Sequence, residues 1–161
     1  MNVVAFIGKS GAGKTTAIVA LIAHFVATAR RVAAIKHTHL PLNEEDRGDT
    51  AKFRRAGADP VILVSGAEAV VYESDTTRRV KFTNPSELLA LTNADMVFAE
   101  GFKTIEEWPR IELNSSERRS TAELLEILDR IWRPGRRFAI ALCCSISTAL
   151  SSIPTPRSPR R

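Results

Sequence analysis

Residues 8–15, GKSGAGKT, have the types and spacing that suit phosphate binding. They fit the pattern G-x-x-x-x-G-K-[ST] at every fixed position. Glycines let the backbone wrap around phosphate oxygens with its N–H groups pointing inward. Lys14 can reach the β- and γ-phosphates of a nucleotide, and Thr15 can ligate Mg²⁺. The pattern therefore predicts a Walker A phosphate loop that binds a nucleotide with Mg²⁺; the alternative is a plain glycine-rich turn.

A phosphate loop also needs a carboxylate on the metal side, at the end of a parallel strand. Glu100 directly follows the apolar run DMVFA, residues 95–99. Ligands of open α/β sheets bind outside the carboxyl ends of the strands, which places Asp95 at the wrong end of this run. We therefore predict Lys14 and Glu100 as catalytic residues, and Glu100 also as a metal ligand. The alternative for Glu100 is a solvent-exposed side chain.

A second cluster of polar residues lies at the end of the strand VAAIK. Lys36 is the last residue of this strand, and His37 and His39 follow it. Lys36 can pair with Glu100 or with a phosphate. The two histidines lie on one side of an extended segment and could together contact a metal ion. Two histidines without a third ligand make a weak metal site. The usual alternative is that such histidines are hydrogen-bonded at the protein surface. Asp49 can join the Mg²⁺ shell through water, cap a short helix, or do both.

These side chains need a sheet whose strands end at a common edge. Short apolar runs predict buried strands at 2–7, 32–36, 61–65 and 95–99, with further strands at 69–72, 79–82 and 111–113. Helical spacing predicts helices at 15–29, 50–56, 85–91 and 120–132. A helix between the first two strands makes a βαβ unit and hence a parallel sheet. The predicted fold is α/β, a P-loop NTPase-type three-layer fold with a mainly parallel sheet flanked by helices.

Composition narrows the class of protein. The chain has 161 residues, 44% hydrophobic and 25% charged, which fits one globular domain. All 18 acidic residues but only 16 of the 23 basic residues lie in residues 1–129, so that part is slightly acidic although the whole chain has a net charge of +5. A dedicated nucleic-acid binder carries positive charge on a folded face, so we expect no nucleic-acid partner. No apolar run is long enough to span a membrane, and the start of the chain does not look like a signal peptide, so we expect a cytoplasmic protein without membrane contact.

The end of the chain differs in character. Residues 1–132 are predicted to form the P-loop nucleotide-binding domain. Residues 133–150 are an apolar segment that can supply a last strand and that contains the two cysteines, which are adjacent and fit no zinc or redox pattern. Residues 151–161, SSIPTPRSPRR, form a basic, proline-rich tail that is predicted to be disordered.

Four segments together resemble the MobB-type adaptor family of molybdopterin guanine dinucleotide biosynthesis. They are GKSGAGKTT, IKHTH, RGDTAKFRRAGADPVILVS and FAEGFK, and the resemblance covers roughly residues 2–113. It implies a homodimeric GTP-binding protein with weak GTPase activity that assists the molybdopterin guanylyltransferase, with a molybdopterin-insertion protein as a further partner. The implied cofactors are GTP and Mg²⁺. The residues themselves predict Thr15, Asp49 and Glu100 as the metal ligands. The predicted nucleotide-binding residues, with which the resemblance agrees, are Gly8, Ser10, Gly11, Ala12, Gly13, Lys14, Thr15, Thr16, Lys36, His37 and His39.

The chain departs from the family pattern at several points. Leu40 and Gly48 stand where the family commonly has His and Lys, and Ser145 follows the apolar segment where the family has Asp. The chain contains no Asn-Lys-x-Asp guanine signature, so a preference for guanine is implied by the resemblance alone.

Two other functions compete with the adaptor. A small-molecule kinase uses the same loop, but its mobile lid carries several arginines, and the arginine pairs of this chain lie in no insertion of lid size. The third function, a nucleic-acid-dependent ATPase, is disfavoured because residues 1–129 carry a slight excess of negative charge. We expect slow hydrolysis, because the chain contains no Gln to orient water and Arg47, the best-placed arginine, lies in a loop rich in Pro and Glu.

Overall fold

The computed structural model describes residues 1–42, 44–116 and 119–133. The elements in chain order are β1 (Asn2–Ile7), α1 (Lys14–Ala27), β2 (Val32–His37), α2 (Asp49–Arg55), β3 (Val61–Ser65), β4 (Glu68–Tyr72), β5 (Thr77–Lys81), α3 (Pro85–Ala90), β6 (Met96–Glu100), β7 (Arg110–Glu112) and α4 (Thr121–Trp132). The predicted segments 133–150 and 151–161 lie outside the described residues, apart from Arg133. No helix within the described ranges is long and apolar enough to cross a membrane.

The seven described strands form one sheet in the order β5-β4-β3-β2-β6-β1-β7. The strands β3, β2, β6, β1 and β7 run parallel, whereas β4 and β5 join antiparallel at one side. β6 lies between β1 and β2, so the ends of these three strands are neighbours. The predicted P-loop NTPase-type α/β fold is confirmed.

Helices cover the sheet on both faces. On one face α1, α2 and α4 insert Ile18, Leu21, Phe53, Leu124 and Leu128 into the core. On the other face α3 and the segment after β6 contribute Leu88, Phe102, Ile105 and Trp108, which pack on alanines, valines and isoleucines of the strands. Burial of both faces explains why the parallel strands are continuous apolar runs.

Local sequence fixes the helix starts and the ends of the sheet. Asn84 and Ser120 cap α3 and α4, each in a capping box with a glutamate three residues later. β5 is one of the two edge strands of the described sheet, and four of its five residues are exposed. It begins at Thr77 rather than at the predicted residue 79, because the turn that joins it to β4 is closed by a backbone hydrogen bond from Glu73 to Thr76.

Candidate functional site

The loop between β1 and α1 is shaped by glycines and by one lysine. Gly8, Gly11 and Gly13 all have positive φ angles, of 141°, 78° and 83°, which favour glycine. Lys14 Nζ donates hydrogen bonds to the carbonyl oxygens of Gly8 at 3.2 Å and Lys9 at 2.7 Å. The loop is therefore already curved around the Lys14 ammonium group.

The amino terminus of α1 opens into this loop. Gly13 is the N-cap residue, and no side chain caps the helix. The first N–H groups of a helix have no partner within the helix, and together with the helix dipole they attract anions. The predicted phosphate loop therefore has the strand before it, the helix after it and the curvature that phosphate binding requires.

Glu100 lies at the end of β6, facing the phosphate loop. It is 5% exposed, so the alternative of a solvent-exposed side chain is excluded. One of its oxygens, Oε2, accepts a hydrogen bond from the Thr15 hydroxyl at 2.9 Å. The other, Oε1, accepts one from Lys36 Nζ at 2.5 Å. The sheet register explains the second contact, because Lys36 on β2 pairs directly with Glu100 on β6.

Asp49 joins the same cluster from α2. Its Oδ2 accepts a hydrogen bond from Lys36 at 3.0 Å, and its Oδ1 accepts one from Lys52 at 3.0 Å. Burial would raise the pKa of the Asp49 carboxyl, but the hydrogen bonds and charges of the two lysines outweigh burial and hold the pKa below its usual value. Asp49 is therefore charged at neutral pH.

The predicted role of Asp49 as a helix N-cap is wrong. Asp49 is the first residue of α2, and Gly48, with a φ of 67°, is the N-cap. The Asp49 side chain turns towards Lys36 and Lys52 because two ammonium groups attract a carboxylate more strongly than a single backbone N–H does.

These residues line one cavity of about 320 Å³ at the carboxyl ends of the parallel strands. Its walls come from the phosphate loop, the start of α1 and the three charged residues of the cluster; they are Ser10, Gly11, Gly13, Lys14, Thr15, Thr16, Lys36, Asp49 and Glu100. The oxygens of Thr15, Asp49 and Glu100 are hard ligands of the kind that Mg²⁺ prefers, so this set of donors fits the predicted ion.

His37 and His39 lie near each other but are not among the residues that line this cavity. Their ring centroids are 4.8 Å apart, and the His37 ring lies 5.4 Å from that of Phe102. In the part of the chain that the structure describes, no group of three or more His, Cys, Asp or Glu side chains could hold a metal ion. The two histidines form part of an aromatic cluster with Phe102, beside the predicted phosphate loop.

The turn after Glu100 brings Phe102 into that cluster, a contact that sequence reasoning missed. Gly101 and Phe102 have successive positive φ angles of 97° and 58°. A Cβ atom on Gly101 would lie 3.0 Å from the Cβ of His37, so any other residue there would be crowded as well as strained by the positive φ. A side chain such as Phe102 in the left-handed region is uncommon and strained, and such strain concentrates at functional sites. The Gly-Phe pair after a strand-end carboxylate is the signal that could have found this turn.

His37 makes the stability of the fold sensitive to pH. Partial burial of the ring, followed by the charges of His39 and Lys36, lowers the pKa of His37 below its ordinary value of 6.5. The folded chain therefore binds fewer protons than the unfolded chain between the lowered pKa and 6.5. Stability is thus full above 6.5 and falls as the pH drops through this range.

We expect His37→Asn to reduce the loss of stability on acidification. The measurement is the urea midpoint of unfolding at about pH 7.5 and about pH 5.5. His24→Asn, which replaces an exposed histidine on α1, is the control and should lose as much stability as the wild type. An equal loss in His37→Asn and wild type would contradict the assignment.

Comparisons with known proteins identify relatives of this chain. The family model of MobB, molybdopterin guanine dinucleotide synthesis protein B, matches residues 3–132. The molybdopterin-guanine dinucleotide biosynthesis adapter protein of Haemophilus influenzae is 33% identical over 111 residues, which are 68% of this chain and 61% of that protein. The protein of the same name from Escherichia coli is 32% identical over 101 residues, 62% of this chain and 58% of that protein. The matched part of this chain thus spans about three fifths of these relatives.

Two crystal structures are similar at lower identity. A MobB homologue from Bacillus stearothermophilus has a TM-score of 0.43 and 22% identity, over 79% of this chain and 70% of that one. Bacillus subtilis MobB has a TM-score of 0.47 and 21% identity, over 71% of this chain and 69% of that one. The residues matched by the family model include the predicted phosphate loop, Lys36, Asp49 and Glu100. Because this match covers most of the chain, the chain belongs to the MobB family of molybdopterin guanine dinucleotide synthesis proteins.

Proposed function

We propose that the chain is a GTP-binding adaptor in molybdopterin guanine dinucleotide biosynthesis and that it assists the guanylyltransferase of that route. The observation that carries the nucleotide site is the hydrogen-bonded cluster of Thr15, Glu100, Lys36 and Asp49 beside the phosphate loop. The adaptor role rests on family membership and on the names of the two curated relatives. A homodimeric state, a molybdopterin-insertion protein as a further partner and a cytoplasmic location belong to the same proposal.

In this proposal each side chain has a distinct task. Lys14 leaves the carbonyl oxygens of Gly8 and Lys9 and donates to the β- and γ-phosphates, while the backbone N–H groups of the loop and of the start of α1 surround the β-phosphate. The Thr15 hydroxyl can keep its hydrogen bond to Glu100 and still offer a lone pair to Mg²⁺. Glu100 and Asp49 complete the shell directly or through water. The Mg²⁺ ion would neutralise charge on the phosphates.

The decisive test is calorimetric titration of the purified chain with GTP and with ATP, each with Mg²⁺. We expect GTP to bind at least about tenfold more tightly than ATP, a difference of about 1.4 kcal/mol. Equal affinities would remove the guanine part of the proposal and leave a general nucleotide site. Absence of binding by both nucleotides would overturn the proposal.

We also expect hydrolysis by the isolated chain to be far slower than the median enzyme rate of about 10 s⁻¹. Phosphoryl transfer needs a cation on the developing charge and a group that orients the attacking water. Arg47 pairs with Glu45 and is 75% exposed, and the chain contains no Gln. Steady-state phosphate release measures the rate, with Lys14→Ala as the background.

The rate of hydrolysis also distinguishes the adaptor from the second candidate function, a small-molecule kinase. Arg47 lines a second cavity of about 310 Å³ that shares Lys36 and Asp49 with the phosphate cavity, so one arginine is near the site. A kinase would need further arginines on a closing lid. Turnover of several per second, or phosphorylation of a small metabolite, would favour the kinase over the adaptor.

A further inference from the structure

The Lys36 ammonium group lies between the two carboxylates that we assign to the metal shell. Its Nζ is 2.5 Å from Glu100 Oε1 and 3.0 Å from Asp49 Oδ2. The surroundings are largely closed to water, since the side chains of Lys36 and Glu100 are 19% and 6% exposed. A strand residue facing a phosphate-binding cavity thus contacts the oxygens that a divalent cation would use.

Every carboxylate oxygen of this cluster already has a donor. Glu100 accepts from Lys36 and Thr15, and Asp49 accepts from Lys36 and Lys52. A buried carboxylate needs a compensating positive charge, and Lys36 supplies it to both residues at once. A divalent ion that arrived alone would have to displace this ammonium group or stand beside it, and like charges at such short range repel strongly in a half-buried site.

We propose that Lys36 is a resident cation that takes the place of the divalent ion in the nucleotide-free protein and excludes free metal from the site. The inference rests on the proposed function in one respect, because it assumes that the metal enters together with a nucleotide. The phosphates then supply new acceptors for Lys36 and additional negative ligands for the metal. Lys36 thereby makes metal binding conditional on the nucleotide.

Lys52 provides a contrast within the same cluster. It also donates to Asp49, but it is 53% exposed and has no contact with Glu100 among the described interactions. Its charge is screened by water, so removal of Lys52 should change the affinity for metal little. Lys52→Met is therefore the matched control for a substitution of Lys36.

The test uses Mn²⁺ as the probe, since it is a divalent ion with oxygen-ligand chemistry like that of Mg²⁺, and its binding is followed by electron paramagnetic resonance without nucleotide. Wild type and Lys52→Met should bind Mn²⁺ weakly and alike. Lys36→Met, and Lys36→Gln, whose amide can still donate to Glu100, should bind it at least about tenfold more tightly, because a repelling charge has been removed. A second change, Glu100→Gln, should abolish this gain.

Thermal unfolding gives a second readout that does not depend on nucleotide. In EDTA, the melting temperature of Lys36→Met should be several degrees lower than that of the wild type. Mn²⁺ should restore part of this loss in Lys36→Met and should leave the melting temperature of the wild type unchanged. If neither Lys36 variant folds without metal, refolding in Mn²⁺ is the measurement, and failure to refold would overturn the inference.

Two further results would also overturn the inference. One is tight Mn²⁺ binding by the wild type without nucleotide, and the other is no gain in Mn²⁺ affinity in folded Lys36 variants. A separate titration of the wild type with GTP and Mg²⁺ distinguishes the two proposals. Failure of that titration removes the proposed function, whereas the Mn²⁺ experiment still reports whether Lys36 excludes the free ion.

Discussion

Lys14→Ala is expected to weaken GTP binding by at least about 100-fold, because it removes a charge-assisted hydrogen bond to the phosphates. The stability of the folded chain should hardly change. Among the described residues, the Lys14 ammonium group donates to the carbonyl oxygens of Gly8 and Lys9, and the side chain is half-buried at the mouth of the cavity. Calorimetry gives the affinity, and the melting temperature reports the stability.

The control for Lys14→Ala is Lys81→Ala, which removes one positive charge from β5, away from the phosphate loop. Lys81 is 84% exposed, so its loss should leave both the affinity and the melting temperature close to the wild-type values. A Lys14→Ala variant that binds GTP as tightly as Lys81→Ala would show that the loop does not hold the phosphates.

Gly8→Ala is expected to cost at least about 3 kcal/mol of folding free energy, the combined effect of backbone strain and overpacking. Gly8 has a φ of 141°, and a Cβ atom there would lie 2.2 Å from the carbonyl oxygen of Leu113. That oxygen belongs to backbone that cannot yield easily, because the Leu113 N–H is hydrogen-bonded to Ile7 at the end of β1. The melting temperature should fall by roughly 10 °C.

Gly11→Ala separates strain from steric conflict. Gly11 also has a positive φ, of 78°, but an added Cβ would meet nothing within 4 Å. We expect a loss of about 1 kcal/mol, the ordinary cost of a left-handed residue other than glycine. If Gly8→Ala and Gly11→Ala melted at the same temperature, that result would contradict the close approach of the Leu113 carbonyl oxygen to Gly8.

The charged cluster could be predicted from sequence because of one general property of α/β sheets. Parallel strands end at the same edge, so polar residues at the ends of β1, β2 and β6 must lie near each other. Glu100 and Lys36 follow apolar runs, and a pairing between them was one of the predicted alternatives. The structure brings them together because their positions are in register on adjacent strands.

The roles of Asp49 and the two histidines could not be read from sequence in the same way. An aspartate before a short helix fits a cap as well as an ion pair, and the choice depends on how close Lys36 comes from another strand. His37 and His39 share a side of the chain, as predicted, yet their surroundings depend on the turn at Gly101 and Phe102. Contacts between segments distant in sequence decide both cases.

The edge strand β5 has a consequence for self-association. An exposed edge offers unpaired N–H and C=O groups to any other strand, which is how sheets of separate molecules join and aggregate. On β5 the exposed residues include Arg78, Arg79 and Lys81, which form ion pairs with Glu73 and Glu68. A second strand added at this edge would have to remove these charged side chains from water. That desolvation cost disfavours strand addition by a second copy at the side of the sheet farthest from β1.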